Sequence, residues 1–558
     1  MFFQSYSRKH LYFQVFWLFL FKIVQTVFCI AVYFSLCYTL PINFPEEWVM
    51  SNICIIISIV LYLAFMVGVG AWYTKRNTSA DDFYLGGRKL GPYVTAMSAE
   101  ASDMSSWLLM GLPGLAFFNG LADPFWTAVG LSVGTYFNWL LVAKRLRYYS
   151  AEINAITVPE FFSIRFGDKK RLLQGLAAIV IIVFFVPYTA SGFAACGKLF
   201  SSLFGWEYMT CMVVSAVVIV GYTVLGGFLA ASVTDLIQSI IMTIALAAVL
   251  IFGIFSAGGM DNVLANAGQV AGYLKVNQMG NILTGQASSY GLLTIISTMA
   301  WGLGYFGMPH ILLRFMAIED AGKLKISRRV GTIWVVISMS IAILIGIVGY
   351  GMVQNGAMAG FESASAAEAI IVSIAKLIAE NGVLAALLAG LILAGILAST
   401  MSTADSQLLA ASSSVSHDLM CGLMGKQLSA KQKMVIARAS LAVIAVFGMF
   451  LARDPNSSVF TIVSFAWAGF GAAFGPAMLC ALFWKRTTWQ GALAGMLAGG
   501  AMVFIWKFGL KPMGGIWGIY ELLPAFLVAL AAIIIVSLST KAPEKAVEDT
   551  FDAVKAMK

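Results

Sequence analysis

Histidine, cysteine and charge are all scarce in this chain, and each shortage removes a class of function. Three histidines, His10, His310 and His417, leave almost no raw material for metal catalysis. Seven cysteines (Cys29, Cys37, Cys54, Cys196, Cys211, Cys421 and Cys480) lie mostly in apolar runs. None forms a CxxC pair, so neither a disulfide framework nor a zinc site is indicated. Charged residues make up 11% of the chain, where a soluble protein carries roughly 25%. The glycines of WAGFGAAFG follow no strand, so they read as close helix packing rather than a phosphate loop. The formal charge of +9 sits on lysines and arginines between apolar runs, which points to membrane surfaces and away from nucleic acid.

What fills the chain instead is apolar sequence, 60% of its 558 residues. No water-soluble fold hides that much, so this is an all-α polytopic membrane protein. Thirteen apolar segments are expected to span the bilayer as helices: 53–73, 92–114, 121–143, 172–197, 208–227, 232–256, 288–313, 330–353, 382–407, 435–452, 457–483, 488–506 and 519–539. Basic residues cluster after the first (Lys75, Arg76, Arg88, Lys89), the third (Lys144, Arg145, Arg147, Arg165, Lys169, Lys170, Arg171) and the seventh (Arg314, Lys323, Lys325, Arg328, Arg329). They recur after the ninth (Lys426, Lys431, Lys433, Arg438) and the eleventh (Lys485, Arg486), and the tail from Lys541 holds four lysines. Every cluster follows an odd-numbered segment, so the odd loops and the C-terminus are expected in the cytoplasm.

The domain plan is one transporter unit, 50–540, flanked by an N-terminal extension, 1–49, and a cytoplasmic tail, 541–558. The extension is apolar from about Leu11 to Leu40 and lacks a small-residue cleavage site. It reads either as an extra membrane helix or as sequence upstream of a true start at Met50. The stretch 354–381 is expected to carry a short surface helix on the outside. No loop is long enough for a separate catalytic domain.

Three segments hold polar, helix-weakening clusters. The second contains AEASDMSSW, with Asp103 about 18 Å along its helix and so near the membrane midplane. A carboxylate there costs several kcal/mol unless it meets a cation, water or donors, which marks an ion or substrate site. The seventh, WGLGYFGMPHILLRF, has three glycines and a proline between Trp301 and Phe315. The ninth, ILASTMSTADSQLL, carries Ser399, Thr400, Ser402, Thr403, Asp405 and Ser406. Segments two and seven are five apart, so two five-helix units of opposite orientation each begin with an interrupted helix. That pattern points to an inverted-repeat transporter whose site lies at the breaks.

Four motifs then resemble the sodium:solute symporter family, and its proline-transporting branch most closely. They are MSAEASDMSSWLLMGLPG (Met97–Gly114), GYTVLGGFLAASVTDLIQ (Gly221–Gln238), WGLGYFGMPHILLRFMA (Trp301–Ala317) and SFAWAGFGAAFGPAM (Ser464–Met478). The resemblance implies a LeuT-type 5+5 core from the second to the eleventh segment. It implies sodium as coupling ion, held by carbonyls of Ala101, Met104 and Ser399 and hydroxyls of Ser402 and Thr403. Asp103 would sit beside this shell and couple it to substrate. Ser105, Tyr188, Trp301, Tyr305 and Pro309 match positions lining a proline pocket, where aromatic faces suit a pyrrolidine ring and its ammonium. Arg88 and Asp235 match other polar positions implicated in transport. Ser106 and Glu100 depart from the pattern, each standing where a glycine is usual.

The expected function is therefore sodium-driven import of L-proline across the cell membrane by alternating access, with no catalytic residue and no obligatory protein partner. The alternatives are a sodium symporter for another small carboxylate or amino acid, such as pantothenate, and a transporter-like membrane sensor.

Overall fold

The computed structural model describes residues 46–74, 84–225 and 227–557. The extension 1–49 lies outside the described residues except for its last four, which open the first helix. Helix α1 is Glu46–Thr74. A turn at Gly86–Arg88 leads into α2, Pro92–Asp103, whose proline stands at the start where its missing N–H leaves no bond unmade. A wide π turn, Trp107–Gly111, and α3, Leu112–Asn119, continue the same path beyond a break.

Helix α4, Ala122–Phe137, runs through a second π turn, Asn138–Ala143, into α5, Lys144–Glu152. Helix α6, Val158–Arg165, is capped by Thr157, whose hydroxyl accepts from the Glu160 N–H at 3.2 Å. The long α7, Leu172–Phe204, is followed by α8, Tyr208–Leu225, and α9, Phe228–Ser256. A peripheral stretch holds α10, Met260–Gly268, and a hairpin of β1, Gln278–Gly280, against antiparallel β2, Ala287–Ser289.

Helix α11, Leu292–Met299, tightens into a 3-10 turn, Ala300–Gly307, before α12, Pro309–Ala317. Then come α13, Leu324–Gln354, α14, Ala364–Ala367, α15, Ile370–Ala379, and α16, Val383–Ser413. The chain closes with α17, Ala430–Leu451, α18, Val459–Phe483, α19, Trp489–Phe504, α20, Leu522–Ser539, and α21, Lys545–Ala556.

Every one of the thirteen expected segments contains helix, but the count of thirteen spans is not confirmed. Among the described residues ten helices are long and apolar enough to cross a membrane. They become eleven when Leu292–Gly307 and Pro309–Ala317, bent by 48°, are taken as one span. The other two fall short for separate reasons: the second segment unwinds after Asp103, and the fifth yields only a short apolar helix, Tyr208–Gly221.

Two further expectations are corrected. The ninth segment does not end at 407, because α16 reaches Ser413 and continues as a π-helical stretch to Leu423. Its serines are accommodated there: Ser412, Ser413, Ser414 and Ser416 return their hydroxyls to carbonyls three or four residues back. The stretch 354–381 carries more than the one short surface helix expected, since α15 follows the mostly exposed α14. Its α15 buries Ile370, Ile371, Val372, Ile374 and Ile378 against the body.

The broken helices lie at the centre. Helix α2 packs on α9 and α13, and the 3-10 turn packs on α4 and α18. Helix α16 lies between α1, α9 and α7, while α19 and α20 pair at the edge. Close approach makes the bend possible. A side chain at Gly302 would strike the backbone of Gly130, and one at Gly304 would strike the Trp467 ring.

Candidate functional site

Helix α2 stops at Asp103 because Met104 (φ −74°, ψ 69°) turns the backbone out of helical geometry. The carbonyls freed there find donors from neighbouring helices, as a membrane interior requires. Ser402 Oγ donates to the Ala101 carbonyl at 2.8 Å. The Asp103 carbonyl accepts from Trp107 Nε1 at 3.0 Å and from the Tyr188 hydroxyl at 3.2 Å.

On α16 the Ser402 hydroxyl also reaches the Ser399 carbonyl at 3.1 Å, and Thr403 Oγ1 reaches that same carbonyl at 3.1 Å. Ala101, Ser399, Ser402 and Thr403 are thus brought into one buried cluster of oxygens. Met104 sits at the break itself, but the hydrogen bonds joining the other four do not include it.

Asp103 is 1% exposed. Its Oδ2 accepts from the Tyr305 hydroxyl at 2.5 Å, and its Oδ1 has no partner among the described residues. Tyr305 belongs to the 3-10 turn, whose own freed carbonyls are met in the same way. Asn138 Nδ2 donates to the Tyr305 carbonyl at 3.0 Å, and Trp467 Nε1 donates to that of Trp301 at 2.8 Å.

Around the carboxylate the aromatic rings form a box. Trp301 lies 6.2 Å from Trp107, 6.2 Å from Trp467 and 5.2 Å from Tyr520, centroid to centroid. Tyr305 meets Trp467 edge-on at 5.0 Å. Ser105 and Ser106 are buried at the break, the Ser106 hydroxyl without a partner. Pro309 opens α12, so it restarts a helix rather than kinking one.

Glu100, one turn before the break, points away from this box. Its Oε1 accepts from Trp139 Nε1 at 2.7 Å, and it rests against Gly331 of α13, where a Cβ would come within 2.9 Å of that same oxygen.

Arg88 is not brought to the site. Its guanidinium donates to the carbonyls of Ser150, Ala155 and Met316 at 2.7–2.9 Å and to the Ser150 hydroxyl at 3.1 Å. It ties the turn before α2 to the ends of α5 and α12.

Asp235 lies nearer, in a polar cluster below the oxygen group. Its Oδ2 accepts from Ser98 Oγ at 2.7 Å and pairs with Arg314 Nη2 at 3.2 Å. Arg314 also donates to Ser98 Oγ, to the His310 carbonyl and to Ser406 Oγ. Asp405, beside it, accepts from Thr223.

Arg314 corrects its expected place in a basic surface loop. It is 1% exposed, and its charge is met by Asp235, which is fully buried. The signal lay in its surroundings: ILLRFMA is an apolar helix that has only just restarted at Pro309, so the arginine falls inside it. Trp107 and Trp467 were also passed over, each an indole in a motif already singled out.

The pattern of the sodium:solute symporter family matches residues 83–499. The chain belongs to that family. The osmoregulated proline transporter OpuE of Bacillus subtilis is 41% identical over 91% of this chain and 99% of its own. The sodium/proline symporter of Haemophilus influenzae is 42% identical over 90% of this chain and 97% of its own. That of Escherichia coli K12 is 39% identical over 89% and 95%.

Among solved structures, a Na+-coupled sialic acid symporter in a substrate-bound outward-open state superposes with a TM-score of 0.72. The two are 19% identical, and the match covers 88% of this chain and 99% of that one. The fold of this sodium:solute symporter is thus the LeuT-type 5+5 arrangement, a multi-pass membrane architecture with its two broken helices face to face.

Proposed function

We propose that this symporter imports L-proline and draws on a sodium gradient across the cell membrane, its C-terminus in the cytoplasm. The observation that carries the reading is the cluster of Ala101, Ser399, Ser402 and Thr403 oxygens at the α2 break. It consists of neutral oxygens from two helices, a donor set suited to a hard monovalent cation. Rotating the two hydroxyl hydrogens outward would turn their lone pairs toward an ion, with the Met104 carbonyl as a fifth ligand.

Asp103 neighbours this cluster and offers one unpartnered oxygen beside the aromatic box. A secondary ammonium would pair with that oxygen while its ring packed on Trp301 and Tyr305. Sodium between α2 and α16, and amino acid between α2 and the 3-10 turn, would then both stabilise the same break in α2, and that shared stabilisation is what coupling requires. Relatives named as proline transporters, about 40% identical along nearly the whole chain, support the substrate.

A second reading rests on Ser106, whose buried hydroxyl adds an unsatisfied polar group beside the pocket and would suit another small amino acid or carboxylate. The decisive experiment is radiolabelled proline uptake into proteoliposomes, with an inward sodium gradient compared with choline. Sodium-dependent accumulation is expected. Equal uptake in both would sink the coupling, and sodium-dependent uptake of labelled pantothenate with none of labelled proline would favour the second reading.

A further inference from the structure

Among the described residues, two cations within the protein body are met by carboxylates. Arg314 has Asp235, and Lys198 has Glu368 at 2.6 Å. Arg165, the last residue of α6, differs. It is 1% exposed and forms no ion pair among the described residues.

Its Nε donates to the Ala481 carbonyl at 2.7 Å, but Nη1 and Nη2 have no acceptor. The hydroxyl of Tyr149, equally buried, has no partner either. Aromatic rings surround the guanidinium, with centroids 5.4 Å (Tyr149), 5.2 Å (Phe166) and 4.9 Å (Phe551) from Cζ. Phe551 comes from α21, the C-terminal helix, and its ring also lies 5.3 Å from the Arg145 guanidinium.

Rings offset part of the cost of burying a cation, yet they leave in-plane N–H donors unsatisfied. The neighbouring charge makes matters worse. Burial, with Arg145 adding to it, holds the Arg165 pKa below its ordinary value, although Tyr149 and Cys480 oppose the shift. Three buried donors thus lie in one aromatic group beside a second guanidinium, with no carboxylate among them. That is the donor pattern of an anion site.

We infer that Arg165 Nη1 and Nη2 and the Tyr149 hydroxyl bind a small monovalent inorganic anion, of chloride or nitrate size, beneath the C-terminal helix. Arg145 attracts it and Phe551 covers it. The site is separate from the sodium and substrate groups and holds α21 against α5 and α6. Lys485 pairs with Asp552 at 2.5 Å, and Lys169 with Glu544 at 2.5 Å, fastening the same helix from outside.

The test uses the full-length protein, purified in detergent with gluconate as the only anion. Chloride or nitrate is titrated against added gluconate at matched ionic strength, with melting temperature and hydrogen exchange of residues 545–556 as readouts. A saturable rise in melting temperature and slower exchange are expected with chloride or nitrate only. Tyr149→Phe should raise the half-saturating concentration about tenfold, since it removes one hydrogen bond to a charged ligand. Identical responses to chloride, nitrate and gluconate would overturn the site, as would a Tyr149→Phe midpoint equal to the wild type. Tyr149→Phe keeps the ring stack, so the test stands even where Arg165→Lys fails to fold.

Discussion

Tyr305 donates its hydroxyl to Asp103 Oδ2 at 2.5 Å, joining the breaks of two helices 202 residues apart in sequence. Each break needs the other, because the buried carboxylate has no other hydrogen-bond donor among the described residues. A hydrogen bond to a charged group contributes about 1.5–3 kcal/mol. Tyr305→Phe removes it and keeps the ring against Trp467. The expected result is a fall of about tenfold or more in apparent affinity for sodium and proline together, read from uptake kinetics. An unchanged pair of values would remove this bond from the coupling.

The oxygen cluster on α16 gives a sharper contrast. Thr403→Ala deletes one proposed sodium ligand, whereas Thr403→Ser keeps it. Half-maximal uptake should need about tenfold more sodium in the alanine variant and little more in the serine variant. Equal sodium dependence of the two would place Thr403 outside the ion shell.

Asp235 and Arg314 form a pair with neither partner more than 1% exposed. Removing one partner of such a pair strands the other charge and costs about 3–5 kcal/mol, while removing both costs far less. In thermal unfolding of purified protein, Asp235→Asn and Arg314→Met should each melt well below the wild type. The double variant should recover much of the loss. Additive losses would mean that the two charges do not depend on each other.

Gly304 lies where any side chain would meet the indole of Trp467, whose Nε1 holds the Trp301 carbonyl. Gly304→Ala should therefore destabilise by about 1–3 kcal/mol through overpacking. Adding Trp467→Phe should restore part of it in a melting experiment. No rescue would show that Trp467 is not the obstacle.

Much of this was legible before any coordinates. Asp103 stood out because a membrane interior makes an acid costly, and the glycines of WGLGYFG announced a second break. The oxygen cluster followed from the family resemblance and from the density of hydroxyls in STMSTADS. The rest was hidden for physical reasons. Arg314 reads as a loop cation until Asp235, 79 residues earlier in the chain, is found beside it. The extra length of α16 was hidden because its serines read as helix-weakening, whereas in the structure their hydroxyls turn back on the backbone and leave no buried donor unmet. Arg88 looked like site chemistry, yet the carbonyls that occupy its guanidinium come from the ends of two helices far along the chain.

Gly331 leaves just enough space for Glu100 to reach Trp139. The two positions are therefore one heritable unit. Alanine at 331 crowds the carboxylate in its seat and should be tolerated best in a background where position 100 has a shorter side chain. A selection for suppressors of Gly331→Ala should return changes at codon 100 ahead of any other. The seat of one buried carboxylate is thereby set by a second residue, 231 positions away.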